Sequence, residues 1–446
     1  MLSGSEQGGG TLVTVEKLAF GGSGIGRVDG KVCFIPFTAP GDRCRVEIHA
    51  EKKSYSEGAL LECMAPSPAR VTPPCGVFGE CGGCFWQHIR YSAQLAAKQQ
   101  IFVEMLSRSV PVAPDVFLPA VPAPMPYGYR SRVQFKLRSV TGKLKFGFYR
   151  RGSHYVIDLP GKCHIACNVI NLIREELCRM LERFPEPDKL PQIDVAAGES
   201  SGLLLLFHYI GENRTGIAAW LGETVPGCAG VTGVFLQCGR KSSLLRIWGD
   251  ERVAYRVPTA VVESLPDMEL AFRCGGFSQV NYGQNRAMIR TVLDWAALKG
   301  RERILDLYCG NGNFSLPISR SCAEIIGVEE YGDSIEDAVF NARSNDVRNA
   351  RFIARDTDGG LRELIARGER FHLVLLDPPR TGAREAVHLI PALEPEKIIY
   401  VSCDPATLAR DLAILHGKGY RVAASRPIDM FPQTYHIESV TLLTKV

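Results

Sequence analysis

The chain has 446 residues, of which 46% are hydrophobic and 22% charged, and a net charge of +4. It holds no run of about 18 apolar residues, so nothing is expected to span a membrane. Its 15 cysteines are an odd number in a chain whose Gly/Ser-rich start, Met1 to Gly10, reads as a tail and not an export signal. This points away from a disulfide framework and towards a cytoplasmic protein that uses thiols for metal ligation or catalysis.

At about 100–200 residues per domain, two to four domains are expected. Thr11 to Cys63 is rich in glycine and short alternating runs, with strands at Lys31–Ile35 and Arg45–Ile48 and a turn at Ala39–Asp42. That pattern predicts a small OB-like β-barrel. Pro66-Ser67-Pro68 and Pro73-Pro74 then break the chain, so the first domain is drawn at residues 1–66. Tyr91 to Arg108 has helical spacing in Leu95, Ile101, Phe102, Met105 and Leu106, on a helix free to pack against a later domain. Arg132 to Arg138 and Leu144 to Tyr149 alternate around a Thr141-Gly142 turn and predict a hairpin. A strand at Gly202–Tyr209 and a helix near Val169–Arg183 complete a central mixed α+β domain, residues 67–270. From 271 to 446, helices alternate with the apolar runs Ile304–Tyr308, Ile325–Glu329, Arg351–Ala354, Leu373–Leu376 and Ile398–Ser402. This predicts an α/β domain with a doubly wound, Rossmann-like parallel sheet.

Charge is concentrated in one place. Tyr127 to Tyr155 carries eight basic residues and no acidic one, against a whole-chain net charge of +4. The rest of the chain is therefore net acidic, and the hairpin is the candidate surface for an anionic partner. Arg130, Arg132, Lys136 and Arg138 would hold phosphates, and Phe146 and Phe148 would stack unpaired bases. The alternative for those rings is a place in the hairpin's own core.

Each apolar run in the last domain ends in residues capable of chemistry, and ligands of open parallel sheets sit outside those ends. The first ends in Asp306-Leu307-Tyr308-Cys309-Gly310-Asn311-Gly312-Asn313, and Glu329 follows 23 positions after Asp306. Glycines that admit a ligand to the backbone, with an acidic residue at that distance for ribose hydroxyls, suit a dinucleotide or S-adenosylmethionine. The missing third glycine of G-x-G-x-x-G weakens the dinucleotide, and with it a nicotinamide-dependent oxidoreductase. Asp356 closes the third run, Asp377-Pro378-Pro379-Arg380 the fourth and Ser402-Cys403-Asp404-Pro405 the fifth. Amino methylation uses a similar Asp-Pro-Pro loop but has no work for a thiol. Carbon 5 of uracil does need one: a thiolate added at carbon 6 makes carbon 5 a nucleophile. Cys403 is then a nucleophile or, on spacing alone, a buried spectator. A base must remove the carbon 5 proton afterwards; Glu438 and His436 compete for that role.

These strings together resemble the RNA uracil-5 methyltransferases over about residues 275–446: Phe277-Ser278-Gln279-Val280-Asn281, the Asp306–Phe314 loop, Gly327-Val328-Glu329, Asp377–Arg380, Ser402–Pro405 and His436-Ile437-Glu438-Ser439. The resemblance implies Cys403 as nucleophile, Glu438 as base and Asp377 beside them. It implies Gln279, Tyr308, Gly310, Asn313, Glu329, Asp356 and Asp377 around S-adenosylmethionine. Asp356 departs from the amide found there in some members. Thr11 to about Met64 is similar to the RNA-binding TRAM barrel. Cys75, Cys81, Cys84 and Cys163 resemble the four-iron four-sulfur ligands of the RumA-type 23S ribosomal RNA branch. Four thiolates also suit structural zinc, and spacing does not decide. His88 is expected to be structural and Cys167 a bystander. The resemblance thus implies a monomeric enzyme making 5-methyluridine in 23S ribosomal RNA, at a uridine flipped out or in a loop. The alternatives are the same chemistry on transfer RNA, or a non-catalytic RNA-binding relative.

Overall fold

A computed structural model describes residues 10–141, 143–200, 202–239, 243–260 and 266–446. The tail before residue 10 and Gly142 of the expected hairpin turn lie outside the described residues.

Alternation organises the first unit. Its six strands are Thr11–Thr14, Lys17–Leu18, Gly24–Val28, Lys31–Ile35, Arg43–Glu51 and Tyr55–Ala65. Val13, Val15, Cys33, Ile35, Cys44 and Val46 turn inward to a small core of their own. In the expected turn, the Asp42 carboxylate accepts from Ala39 N at 2.6 Å, Ser67 N at 2.8 Å and Arg70 Nε at 2.9 Å. That buried ion pair ties the sheet to the proline-rich segment that follows.

The central sheet has seven strands, and the run Leu203–His208 lies inside it, between Gln192–Ala197 and Val231–Gln237. Leu203, Leu205 and Phe207 face the helices Asn168–Leu181 and Arg214–Thr224, while Leu204 and Leu206 join the core under the last domain. Two covered faces explain why this strand is apolar without alternation. The hairpin is Arg132–Val140 with Lys143–Tyr149, and its Val133, Phe135, Leu137 and Phe146 lie in the core with the helix Asn168–Leu181.

The seven strands of the last sheet are, in chain order, β1 (Arg303–Leu307), β2 (Glu324–Glu329), β3 (Ala350–Ala354), β4 (Leu373–Leu376), β5 (Lys397–Ser402), β6 (Tyr420–Ile428) and β7 (Glu438–Lys445). Their spatial order is β3-β2-β1-β4-β5-β7-β6. The first five are parallel, and β7 is inserted antiparallel between β5 and β6. Leu305, Val328, Leu376 and Tyr400 face one layer of helices, and Ile304, Ile325, Leu375 and Val401 the other.

Two segments from before residue 270 complete this core. The helix Tyr91–Ser109 places Ile101, Phe102 and Leu106 in the layer with Leu408 and Leu412. The hairpin Arg252–Val257 with Met268–Arg273 places Val253, Tyr255, Leu270 and Phe272 against Met288 and Ile289 of the helix Tyr282–Ala296. The apolar core therefore runs across the expected boundary at 270, because a two-stranded ribbon cannot bury its face alone.

Candidate active site

Parallel pairing carries the ends of β1 to β5 to one edge of the sheet. Tyr308 to Asn313, Glu329, Asp356, Asp377 and Cys403 all leave from there. β7 runs the other way, so its first residue, Glu438, begins at the same edge. The register pairs Ser402 with Ser439, which sets Glu438 beside Cys403. Two positions separated by 34 intervening residues become neighbours through one antiparallel insertion.

The loop after β1 is shaped for close approach. Tyr308 takes φ 62°, Gly310 55° and Gly312 87°, the left-handed region that costs a side chain energy. A Cβ on Gly310 would meet nothing within 4 Å, so this backbone faces open space. Beside it the buried Glu329 carboxylate accepts from Gly310 N at 3.2 Å and Tyr331 N at 2.9 Å. An open glycine cradle next to a carboxylate fits the ribose and amino-acid parts of S-adenosylmethionine. Gln279 is half-buried in the segment before helix Tyr282–Ala296, whose cap Asn281 donates to Met430 O at 3.1 Å.

Two expected cofactor residues are also bonded within the protein. Asn313 Oδ1 accepts from Asn285 Nδ2 at 2.8 Å and Tyr255 OH at 3.1 Å, and its Nδ2 donates to Asn285 Oδ1 at 3.0 Å. These bonds pin the loop, and Nδ2 keeps a second N–H for a ligand. Asp356 caps the helix Thr357–Ala366, accepting from Gly359 N at 2.7 Å through one oxygen.

Electrostatics separate the roles at the edge. Burial, and then the Glu438 and Asp377 carboxylates, push the Cys403 thiol up to about 12, with Arg380 opposing. Glu438 is 7% exposed, and burial raises it to about 7 against the cations Arg380 and Lys98. Asp377 is pushed well up by burial, Glu438 and Asp306. Burial, Arg380, Lys98 and Arg130 take His436 down to about 4. Glu438 is thus a much stronger base than His436, with a pKa suited to work near neutrality. The sequence motifs alone give no role to Arg380 or Lys98. A thiol flanked by two carboxylates calls for a cation, which points to Arg380 within the Asp-Pro-Pro-Arg string. Nothing local marks Lys98, whose buried Nζ lies 2.6 Å from Asp429 Oδ1.

Cys75, Cys81, Cys84 and Cys163 line one cavity of about 720 Å³, and Cys167 is not part of its wall. Donors already point at the sulfurs: Gly83 N to Cys81 Sγ at 3.4 Å, Ile165 and Ala166 N to Cys163, and the Gln87 side chain to Cys84. Arg130, Arg132, Lys136 and Phe148 line the same cavity. Burial raises Cys81 to about 11 and Cys84 to about 12, so ligation by thiolates draws on those cations and donors. Among the described residues no three of these sulfurs lie within 4.8 Å of one another. Asp42, Cys44 and Cys63 do lie within 4.8 Å of one another, but the Asp42 carboxylate is taken up by Arg70 and two backbone N–H groups.

The hairpin's aromatic expectation is corrected for Phe146. It is 3% exposed and its ring centroid lies 4.8 Å from that of Phe135, so neither face is open to a base. Strand alternation put it on the helix-covered side. Arg138 is exposed, 5.7 Å from the Tyr155 ring.

The sheet order and strand-end site are those of a class I, S-adenosylmethionine-dependent methyltransferase. The family described as tRNA (Uracil-5-)-methyltransferase matches residues 260–446, and the TRAM domain family matches residues 5–61. A 23S rRNA (uracil(1939)-C(5))-methyltransferase, RlmD, of Thiobacillus denitrificans is 36% identical over 97% of this chain and 99% of its own. An uncharacterised RNA methyltransferase of Thermosynechococcus vestitus is 36% identical over 98% and 99%. The crystal structure of Pyrococcus abyssi tRNA (uracil-54, C5)-methyltransferase with S-adenosyl-L-homocysteine shares the fold at TM-score 0.76 and 24% identity, over 97% of this chain and 100% of its own. The chain belongs to the RNA uracil-5 methyltransferase family, with an N-terminal TRAM domain. Among the described residues no helix is long and apolar enough to cross a membrane.

Proposed function

We propose that this enzyme methylates carbon 5 of one uridine in 23S ribosomal RNA through a covalent adduct between Cys403 and carbon 6. The observation that carries this reading is the pairing of a half-buried thiol with a buried carboxylate base at adjacent strand ends, Cys403 beside Glu438. The half-exposed Cys403 thiol gives up its proton to solvent, the thiolate adds to carbon 6, and the ring's electron pair moves to carbon 5 and the neighbouring carbonyl. S-adenosylmethionine supplies an electrophilic methyl group, held against Glu329 and the Gly310 cradle. With the methyl group on carbon 5, Glu438 accepts the proton from that carbon. The electron pair returns to the ring, the carbon–sulfur bond breaks and Cys403 leaves as thiolate. Arg380 offsets the negative charge on the sulfur before addition and after release. A base stacked within a helix cannot reach this edge, so the target uridine is flipped out or unpaired.

Full-length similarity to RlmD supports the ribosomal substrate over transfer RNA. Cys75, Cys81, Cys84 and Cys163 would hold a four-iron four-sulfur cluster, a reading supported by the one cavity they line and the donor aimed at Cys81. It would tie the loop Cys75–Cys84 to Cys163 and take no part in methyl transfer. The test is anaerobic purification followed by labelled methyl transfer to unmodified ribosomal RNA and transfer RNA, with nucleoside analysis. 5-Methyluridine in the ribosomal sample alone is expected. Label in transfer RNA alone overturns the substrate, and no label in either overturns the chemistry.

A further inference from the structure

The segment between β6 and β7, residues 429–437, delivers Glu438 to the site, and parts of the chain far away in sequence hold it. Lys98 Nζ pairs with Asp429 and donates to Phe431 O at 2.9 Å. Tyr129 OH donates to Pro432 O at 3.0 Å. The Tyr435 ring packs edge-on against Phe85 at 4.7 Å and Phe20 at 5.8 Å. The densest knot is at Gln433. Its carbonyl accepts from both Phe85 N at 2.9 Å and Trp86 N at 3.0 Å, directly after Cys84. Its side chain and backbone are matched by Gln94: Gln433 N donates to Gln94 Oε1 at 3.0 Å, and Gln94 Nε2 donates to Gln433 Oε1 at 2.9 Å. Gln433 is buried and holds φ 68°, a left-handed conformation that glutamine adopts only when its surroundings demand it.

That strain is the informative point. Glycine would meet φ 68° at no cost, and the loop's remaining bonds would close without an amide. A buried side-chain exchange with a helix some 340 residues earlier fixes the angle at which the chain enters β7. It also fastens the loop that follows the cysteine cavity to the segment bearing the base. We infer that Gln433 is a positioning residue for Glu438: through Gln94, Phe85 and Trp86 it sets where the carboxylate stands relative to carbon 5 of the captured uracil. This rests on the covalent mechanism proposed above. Gln433 touches no reacting atom. Its loss acts on release of the adduct and leaves its formation intact, because Cys403 is held by β5.

Two variants test this from opposite ends of the exchange. Gln433→Gly keeps the backbone conformation and the carbonyl acceptor while deleting the amide. Gln94→Leu deletes the partner on the helix. Both are assayed with S-adenosylmethionine and unmodified 23S ribosomal RNA, beside Glu438→Gln as the reference for a lost base. The expected result for both is a fall in kcat on the order of 10- to 100-fold, as for a displaced catalytic group, with KM for RNA falling alongside it so that kcat/KM is kept. An RNA–protein adduct should persist on denaturing gels, and Gln433→Gly added to Glu438→Gln should lengthen its lifetime no further. Parental turnover in either folded variant overturns the inference. A lower kcat with no adduct also overturns it, provided Glu438→Gln does trap one. If Glu438→Gln traps none, the assignment of the base has failed instead. Should Gln433→Gly not fold, Gln94→Leu decides by the same adduct readout.

Discussion

Replacing Glu438 by glutamine should make the protein more stable and less active, and the size of the gain is readable from the site. The carboxyl ionises near pH 7 when folded and near 4.5 when unfolded, because burial opposes its charge more than Arg380 and Lys98 support it. The raised folded value means that stability is fully present below about pH 4.5 and is lost as pH rises through about 7. At 1.36 kcal/mol for each tenfold change in proton affinity, the parent loses about 2–3 kcal/mol between pH 5 and pH 8 from this group. Glutamine cannot ionise, so Glu438→Gln avoids that loss. Urea unfolding of both proteins at pH 5 and pH 8, followed by tryptophan fluorescence, measures the difference directly. The gap should be small at pH 5 and widen by about 2–3 kcal/mol at pH 8. A gap that does not change with pH would refute the claim that a buried, reluctantly ionised carboxylate stands at this position. The same variant should accumulate the RNA adduct, since an amide cannot take the carbon 5 proton.

Other outcomes follow from the same geometry. Cys403→Ala should abolish methyl transfer, and equilibrium dialysis should find its affinity for S-adenosylmethionine unchanged; any residual 5-methyluridine above background would remove the covalent step. In single-turnover assays the parent's adduct decay should rise as pH passes through about 7, where Glu438 becomes the free carboxylate. Arg380→Met should move that limb to higher pH, because Arg380 is the first cation opposing the rise in Glu438; a limb that stays in place would detach Arg380 from the base. Cys84→Ser should bind less iron on anaerobic reconstitution than Cys167→Ser, read by iron and sulfide analysis, since only the former lines the cavity. Equal iron in the two would reject the ligand set.

The parallel sheet and its working edge were legible because each runs on local rules. Apolar strands such as Leu373–Leu376 are covered on both faces, and each is followed at once by its polar residue. The proximity of Glu438 to Cys403 depends on β7 pairing between β5 and β6, which no local pattern announces; only the family likeness suggested it. Asn313 and Asp356 show the opposite limit. Their types suit ligand binding, and spacing did not reveal that each is also bonded within the protein, to Asn285 and to Gly359 N. Phe146 and Phe148 alternate with glycine on one strand, and spacing alone did not reveal which face the helix Asn168–Leu181 would cover. Lys98 and Gln94 were invisible as site residues. Their helix reads as amphipathic, and its two buried polar groups find partners some 330 and 340 residues away.

The place of β7 also bears on how the enzyme avoids harming its own substrate. A thiol that can capture RNA without a base to release it would leave the RNA permanently tagged with protein. In this sheet β5, which carries the thiol, is flanked by β4 on one side and β7 on the other. A chain that stops short of Glu438 therefore lacks the base and half of the pairing that holds Cys403 in place. Capture and release thus sit on paired strands, and a clipped chain loses the base together with one of the two neighbours of β5.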